Sequence, residues 1–199
     1  MHVVGLTGPT GSGKSEVTAL WTARGIPVVD TDRLAREVVE PGEPCLAELV
    51  AAFSPAILQA DGRLNRRALA ARAFAAPESA ARLSAITHPY IIARSRAILK
   101  ALAAANEPLA VVDAPLLFES GMDALCDETV AIVAPEDTRR ARIMRRDGLT
   151  AEQAAQRMAA QQPNAYYASR ADRVMQNDGS LAALQAQAAA LAEEWQHDT

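Results

Sequence analysis

Short apolar runs alternate along the chain with longer stretches of helical spacing. Val3-Val4-Gly5-Leu6-Thr7 is apolar and ends in a glycine-rich stretch, the pattern of a buried strand feeding a loop. From about Lys14 to Arg24 the apolar residues Val17, Leu20 and Trp21 are spaced for a helix, and Gly25 fits its stop. Pro27-Val28-Val29-Asp30 reads as a second short strand. Strand, loop, helix and strand in so short a span form a βαβ unit, which predicts a parallel sheet.

From about Thr31 to Leu102 the chain is rich in Ala, Arg and Leu and predicts several helices. Breaks are expected at Pro41-Gly42, Asp61-Gly62, Pro77 and Pro89. Leu69, Ala73 and Phe74 fit one apolar stripe there, and Ile91, Ile92, Ser95 and Leu99 another. Leu109-Ala110-Val111-Val112-Asp113 and Thr129-Val130-Ala131-Ile132-Val133 are continuous apolar runs, hence buried strands. Arg139 to Gln161 reads as helical and unusually basic, Val174-Met175 as a brief last strand, and Leu181 to Trp195 as an Ala-rich helix.

Composition narrows the classes. Half of the 199 residues are hydrophobic and 22% are charged, enough for a globular core. Lys plus Arg is 20 against 24 for Asp plus Glu, a formal charge of −4, so general nucleic-acid binding is not expected. No apolar run is long enough to span a membrane. The N-terminal residues carry no basic segment or cleavage site of a signal peptide, so a cytoplasmic protein is expected. Cys45 and Cys126 are isolated and read as core residues in a reducing compartment, with neither a disulfide framework nor a zinc site.

Gly8-Pro9-Thr10-Gly11-Ser12-Gly13-Lys14-Ser15 matches G-x-x-x-x-G-K-[ST] in full, after a predicted strand and at the start of a predicted helix. Glycines let the backbone wrap an anion without Cβ clashes, and successive N–H groups converge on it at the helix start. Lys14 can reach the β- and γ-phosphates, and the Ser15 hydroxyl can ligate Mg²⁺. A nucleoside triphosphate with Mg²⁺ is the expected ligand. The GTPase motifs N-K-x-D and D-x-x-G are absent, and Asp113 is followed by Ala114 and Pro115 rather than Glu. A small-molecule kinase is favoured over a switch or motor protein.

Further motifs follow in order. They are Asp30-Thr31-Asp32 with Ala35-Arg36-Glu37-Val38 and Pro41-Gly42, then Asp61-Gly62, Leu64 and Arg67, then His88-Pro89. Asp113-Ala114-Pro115-Leu116-Leu117-Phe118-Glu119, Arg142 with Arg146-Asp147, Gln161, Ala171-Asp172, and Asn177 with Gly179 complete the series. Each is weak alone, but their order and spacing along almost the whole chain resemble the dephospho-coenzyme A kinases. The resemblance implies an α/β fold of P-loop NTPase type: a parallel five-stranded sheet flanked by helices, with a helical substrate-binding insert and a small helical lid. One domain is expected, with its core at about 1–30, 107–138 and 170–199, the insert at about 31–106 and the lid at about 139–169. The implied reaction is ATP-dependent phosphorylation of the ribose 3′-hydroxyl of dephospho-coenzyme A, by a monomer or weak homo-oligomer.

The resemblance also implies roles. Lys14, Asp32 and Arg142 would be catalytic. Gly11, Ser12, Gly13, Lys14, Ser15, Glu16 and Asn177 would bind ATP, with Ser15 on Mg²⁺. Asp32, Arg67, His88, Leu116 and Glu119 would bind the acceptor. Read from the residues alone, alternatives stay open. Asp30 and Asp32 are each a base or metal positioner, or a helix N-cap. Arg139, Arg142 and Arg146 share a helix face that is either a phosphate lid or a solvated surface paired with Glu136, Asp137 and Asp147. His88 is a substrate contact or a hydrogen-bonding residue, and Arg66 and Arg67 meet phosphates or form surface ion pairs. Leu116, Leu117 and Phe118 are core or pocket wall, and Asn177 is an adenine contact or a turn residue. The chain departs from the family at Pro9 and Thr10, at Thr31 for Ala, at Arg139 for Gln, and at Arg173 for an acidic residue.

Overall fold

The computed structural model describes residues 1–197. Five strands form a parallel sheet: β1 (His2–Thr7), β2 (Val28–Asp30), β3 (Leu109–Asp113), β4 (Glu128–Val133) and β5 (Arg173–Gln176), in the order β2-β3-β1-β4-β5. β1 pairs with β3 through His2 opposite Leu109 to Leu6 opposite Asp113, and with β4 through Val4 opposite Glu128 to Thr7 opposite Ala131. The helices are α1 (Lys14–Ala23), α2 (Thr31–Glu37), α3 (Pro44–Phe53), α4 (Arg66–Ala73), α5 (Pro77–Ala104), α6 (Glu136–Asp147), α7 (Ala151–Ala159), α8 (Asn164–Ala168) and α9 (Leu181–His197).

Internal contacts divide the chain into two units, Met1–Val29 with Leu99–Thr199, and Asp30–Ile98. In the first, strand residues alternate between two apolar layers, as the pleat requires. Val4, Leu6, Val130 and Ile132 join Val17 and Trp21 of α1 and Leu184, Ala188 and Trp195 of α9. The indole N–H of Trp21 donates to Ala188 O at 2.8 Å, and the Trp21 and Trp195 rings meet edge to face at 5.1 Å. On the other face Ala131 and Val133 pack with Tyr167, Phe118 and Tyr166. Gly5 faces that layer: a Cβ there would fall 2.8 Å from Cys126 Sγ and 2.9 Å from a Leu117 methyl.

The second unit is helical, with α2, α3, α4 and most of α5. Its buried residues include Leu34, Val38, Cys45, Leu49, Phe53, Ile57 and Leu69. Burial pushes the Cys45 thiol up to about 11 and the Cys126 thiol to about 12, so both are protonated and inert at neutral pH.

Three expectations from the pattern need correcting. Pro89 does not break the chain. It lies inside the 28-residue helix α5. Proline removes one intrahelical bond there, but Ile91, Ser95 and Leu99 keep one side of the helix buried and hold it together. Phe74 leaves the stripe of Leu69 and Ala73: it is the C-cap of α4 and 71% exposed. The basic segment from Arg139 to Gln161 is two helices. Gly148 ends α6 in the left-handed conformation, and Thr150 with Gln153 forms a capping box that starts α7.

Candidate active site

The glycine-rich loop joins the central strand β1 to α1, beyond the carboxyl ends of the parallel strands, where open α/β sheets place ligands. Gly8 passes so close to β4 that a Cβ would lie 2.3 Å from Ile132 O. Gly13, at φ 105°, is the N-cap of α1 and offers no side-chain cap. The first-turn amides of α1 therefore face outward with the positive end of the helix dipole.

Lys14 and Asp113 meet at the heart of the site. The ammonium donates to Asp113 Oδ1, and Thr18 Oγ1 donates to Asp113 Oδ2 at 2.9 Å. Asp113 closes β3 and is 8% exposed. The adjacency of β3 and β1 brings it beside Lys14. Sequence reasoning gave Asp113 no partner. Its signal was the apolar strand ending in a carboxylate.

The three arginines spaced to share one face of α6 separate. Arg139 is buried and donates through Nε to Thr10 O at 2.9 Å and through Nη1 to Asn164 Oδ1 at 3.0 Å. Arg142 donates to Gly11 O at 3.3 Å and to Asn177 Oδ1 at 3.2 Å. Arg146 instead chelates Asp147, which also accepts from Arg157 at 2.6 Å. Arg140 pairs with Asp137 at 2.5 Å. Asn177 is buried, and its Nδ2 donates to Ser12 O at 2.7 Å, so it braces the loop backbone rather than shaping an exposed turn. Gln161 Oε1 accepts from Thr10 N at 2.8 Å. Ser15 and Glu16 are exposed on the first turn of α1.

Of the apolar trio after β3, Leu117 is fully buried, Phe118 is partly buried against the Tyr166 ring, and Leu116 is 50% exposed. The core reading therefore fails for Leu116, because the turn after β3 points it outward. Glu119 is exposed beside it.

In the helical unit, Asp30 caps α2: its carboxylate accepts from Arg33 N at 3.0 Å. Asp32 is exposed in the first turn of the same helix. Arg66 and Arg67 are exposed at the start of α4, which Asn65 caps. His88 is half-buried in α5, and burial lowers its pKa. No group of three or more His, Cys, Asp or Glu side chains able to hold a metal occurs among the described residues.

The family model of dephospho-CoA kinases matches residues 2–183. The chain is similar to a dephospho-CoA kinase of Anaeromyxobacter dehalogenans, 50% identical over 184 residues, which cover 92% of this chain and 87% of that one. A dephospho-CoA kinase of Acinetobacter baylyi is 45% identical over 98% of both chains. Among solved structures, the dephospho-CoA kinase from Campylobacter jejuni superposes with a TM-score of 0.73 at 25% identity, over 96% of each chain. With matches of that extent, the chain belongs to the dephospho-CoA kinase family.

Proposed function

We propose a division of labour among the side chains for the reaction of this family, transfer of a phosphoryl group from ATP to the ribose 3′-hydroxyl of dephospho-coenzyme A. The observation that carries it is the complete phosphate loop between the central strand and α1, with Lys14 and Asp113 at its end. Backbone amides of Gly11, Gly13, Lys14 and Ser15 hold the polyphosphate. Lys14 exchanges its Asp113 contact for the β- and γ-phosphates and follows the charge through a loose transition state. Arg142, within reach of Gly11, supplies positive charge to the transferring group as α6 and α7 close as a lid. Asn177 serves the nucleotide through the loop backbone that it braces.

On the acceptor side, Asp32 orients the hydroxyl and takes its proton. Arg67 and His88 meet the acceptor's polar groups, and Leu116 and Glu119 line its path. The donor set also fits Mg²⁺: the exposed Ser15 hydroxyl and the nearby Asp113 carboxylate are hard oxygen donors, and Mg²⁺ keeps waters and phosphate oxygens for its other positions. When bound, the ion neutralises polyphosphate charge. No described helix is long and apolar enough to cross a membrane. We read the chain as acting on small molecules in the cytoplasm, as a monomer or weak homo-oligomer, without nucleic-acid or membrane partners.

The test is a coupled ADP-release assay against dephospho-coenzyme A, AMP and shikimate. Turnover with dephospho-coenzyme A alone is expected. Faster turnover with another acceptor would replace this reading with a different small-molecule kinase.

A further inference from the structure

Thr10 of the phosphate loop is held from both sides, its N–H by Gln161 and its carbonyl by Arg139. The next two carbonyls are held in turn, Gly11 O by Arg142 and Ser12 O by Asn177. A peptide unit is rigid and planar, so fixing a carbonyl on one side turns the following N–H to the other. The clamps on Thr10 and Ser12 thereby aim the N–H groups of Gly11 and Gly13. The Ser12 N–H between them closes a turn onto Pro9 O at 3.1 Å.

Arg139 differs from the other clamps. It is 2% exposed, and its guanidinium is fixed at both ends. Asn164, which accepts from it, is itself anchored by donating to Ala134 O at 2.7 Å, just after β4. Its backbone lies against the loop: a Cβ on Gly11 would fall 2.8 Å from Arg139 O. The groups acting on its charge are Glu136 on its own helix and Tyr167 on α8, and burial outweighs both and draws its pKa down. Among the described residues no carboxylate forms an ion pair with Arg139. A guanidinium keeps its proton at any ordinary pH, and an unmatched buried charge is costly. The cation therefore lies beside an anion-shaped loop without an anionic partner of its own.

We propose that Arg139 is a positioning residue for the nucleotide: it holds the Thr10 peptide in the anion-binding orientation, and the phosphates of the bound nucleoside triphosphate supply its missing counter-charge. This rests on the reading that the loop binds ATP. Arg139 does not touch the reacting atoms. It acts through the loop backbone and through its field.

The test compares Arg139→Gln, which keeps a donor for Thr10 O without charge, with Arg139→Lys, which keeps the charge and a donor. KM for ATP, KM for the acceptor, kcat, and the thermal midpoint with and without ATP are read for both and for the wild type. The Gln variant should raise KM for ATP on the order of tenfold, as expected for loss of a charge-assisted contact. KM for the acceptor should stay unchanged. The Gln variant's nucleotide-free midpoint should equal or exceed that of the wild type, with a smaller rise on adding ATP. The Lys variant, which keeps the charge but not the two-pronged contact, should lie closer to the wild type in KM for ATP than the Gln variant does. Equal KM values for ATP in the Gln and Lys variants would overturn the inference. So would a Gln variant that fails to fold or melts lower without nucleotide, because removing an unmatched charge should not cost the fold. A wild-type midpoint that does not rise with ATP would instead overturn the proposed function, and this inference with it.

Discussion

Asn177 fills the space behind Gly13. A Cβ on Gly13 would fall 2.3 Å from Asn177 Nδ2, the nitrogen that donates to Ser12 O. Loop and buttress are fitted to each other, so their substitutions should not add. Gly13→Ala meets both this clash and a strained φ of 105°, at a cost of about 1–3 kcal/mol. Asn177→Ala removes the buttress but opens the space, so the double variant should melt higher than the sum of the single effects predicts. Strict additivity in the melting midpoints would show that the two positions are not coupled.

Lys14→Met should leave the circular dichroism spectrum native while kcat falls by about 10²–10³, the usual loss for one preorganised donor. Asp113 loses its ammonium partner in this variant but keeps the hydroxyl of Thr18. Near-normal turnover from folded protein would remove Lys14 from the chemistry.

The two aspartates at the start of α2 should separate cleanly. Asp30→Ala removes the cap on Arg33 N and should cost about 0.5–2 kcal/mol of stability with little change in kcat. Asp32→Asn keeps shape while removing charge, and should lower kcat by about 10²–10⁴ with a smaller change in KM for ATP. The opposite pattern would make Asp30 the functional carboxylate. A Asp32→Asn variant whose main defect is weaker Mg²⁺ dependence would make Asp32 a metal positioner.

His88 predicts a pH dependence. Burial holds its pKa below the ordinary 6.5, so between the two values the unfolded chain binds more protons than the folded one. Stability contributed by the neutral imidazole is complete above 6.5, declines as pH falls through that value, and levels off below the folded pKa. His88→Gln should flatten this slope in urea midpoints taken between about pH 5 and about pH 7.5. An unchanged slope would mean that other groups carry the acid sensitivity.

What the sequence made legible was local. The loop motif is contiguous, and each strand is an apolar run, so the sheet and its nucleotide loop could be read directly. Pro89 misled because a breaker acts on one turn, whereas a buried stripe along α5 holds many. Spacing alone put Arg139, Arg142 and Arg146 on one face. It could not show that the first two reach the loop and the third turns to Asp147, because that depends on how α6 meets residues more than a hundred positions earlier. The Lys14–Asp113 pair was hidden for the same reason, since only the strand order makes neighbours of β1 and β3.

The central place of β1 has a consequence for the chain's synthesis. β1 leaves the ribosome first, yet its two neighbours start at Leu109 and Glu128. The apolar segment must therefore wait unpaired while roughly a hundred residues follow, a long-range closure of the kind that slows folding. Trp21 waits longer still for Ala188, and Ser12 for Asn177. Nucleotide can thus become a folding ligand only after Asn177 has emerged, and force-sensing arrest sequences at successive lengths should register its effect beyond that residue and not before.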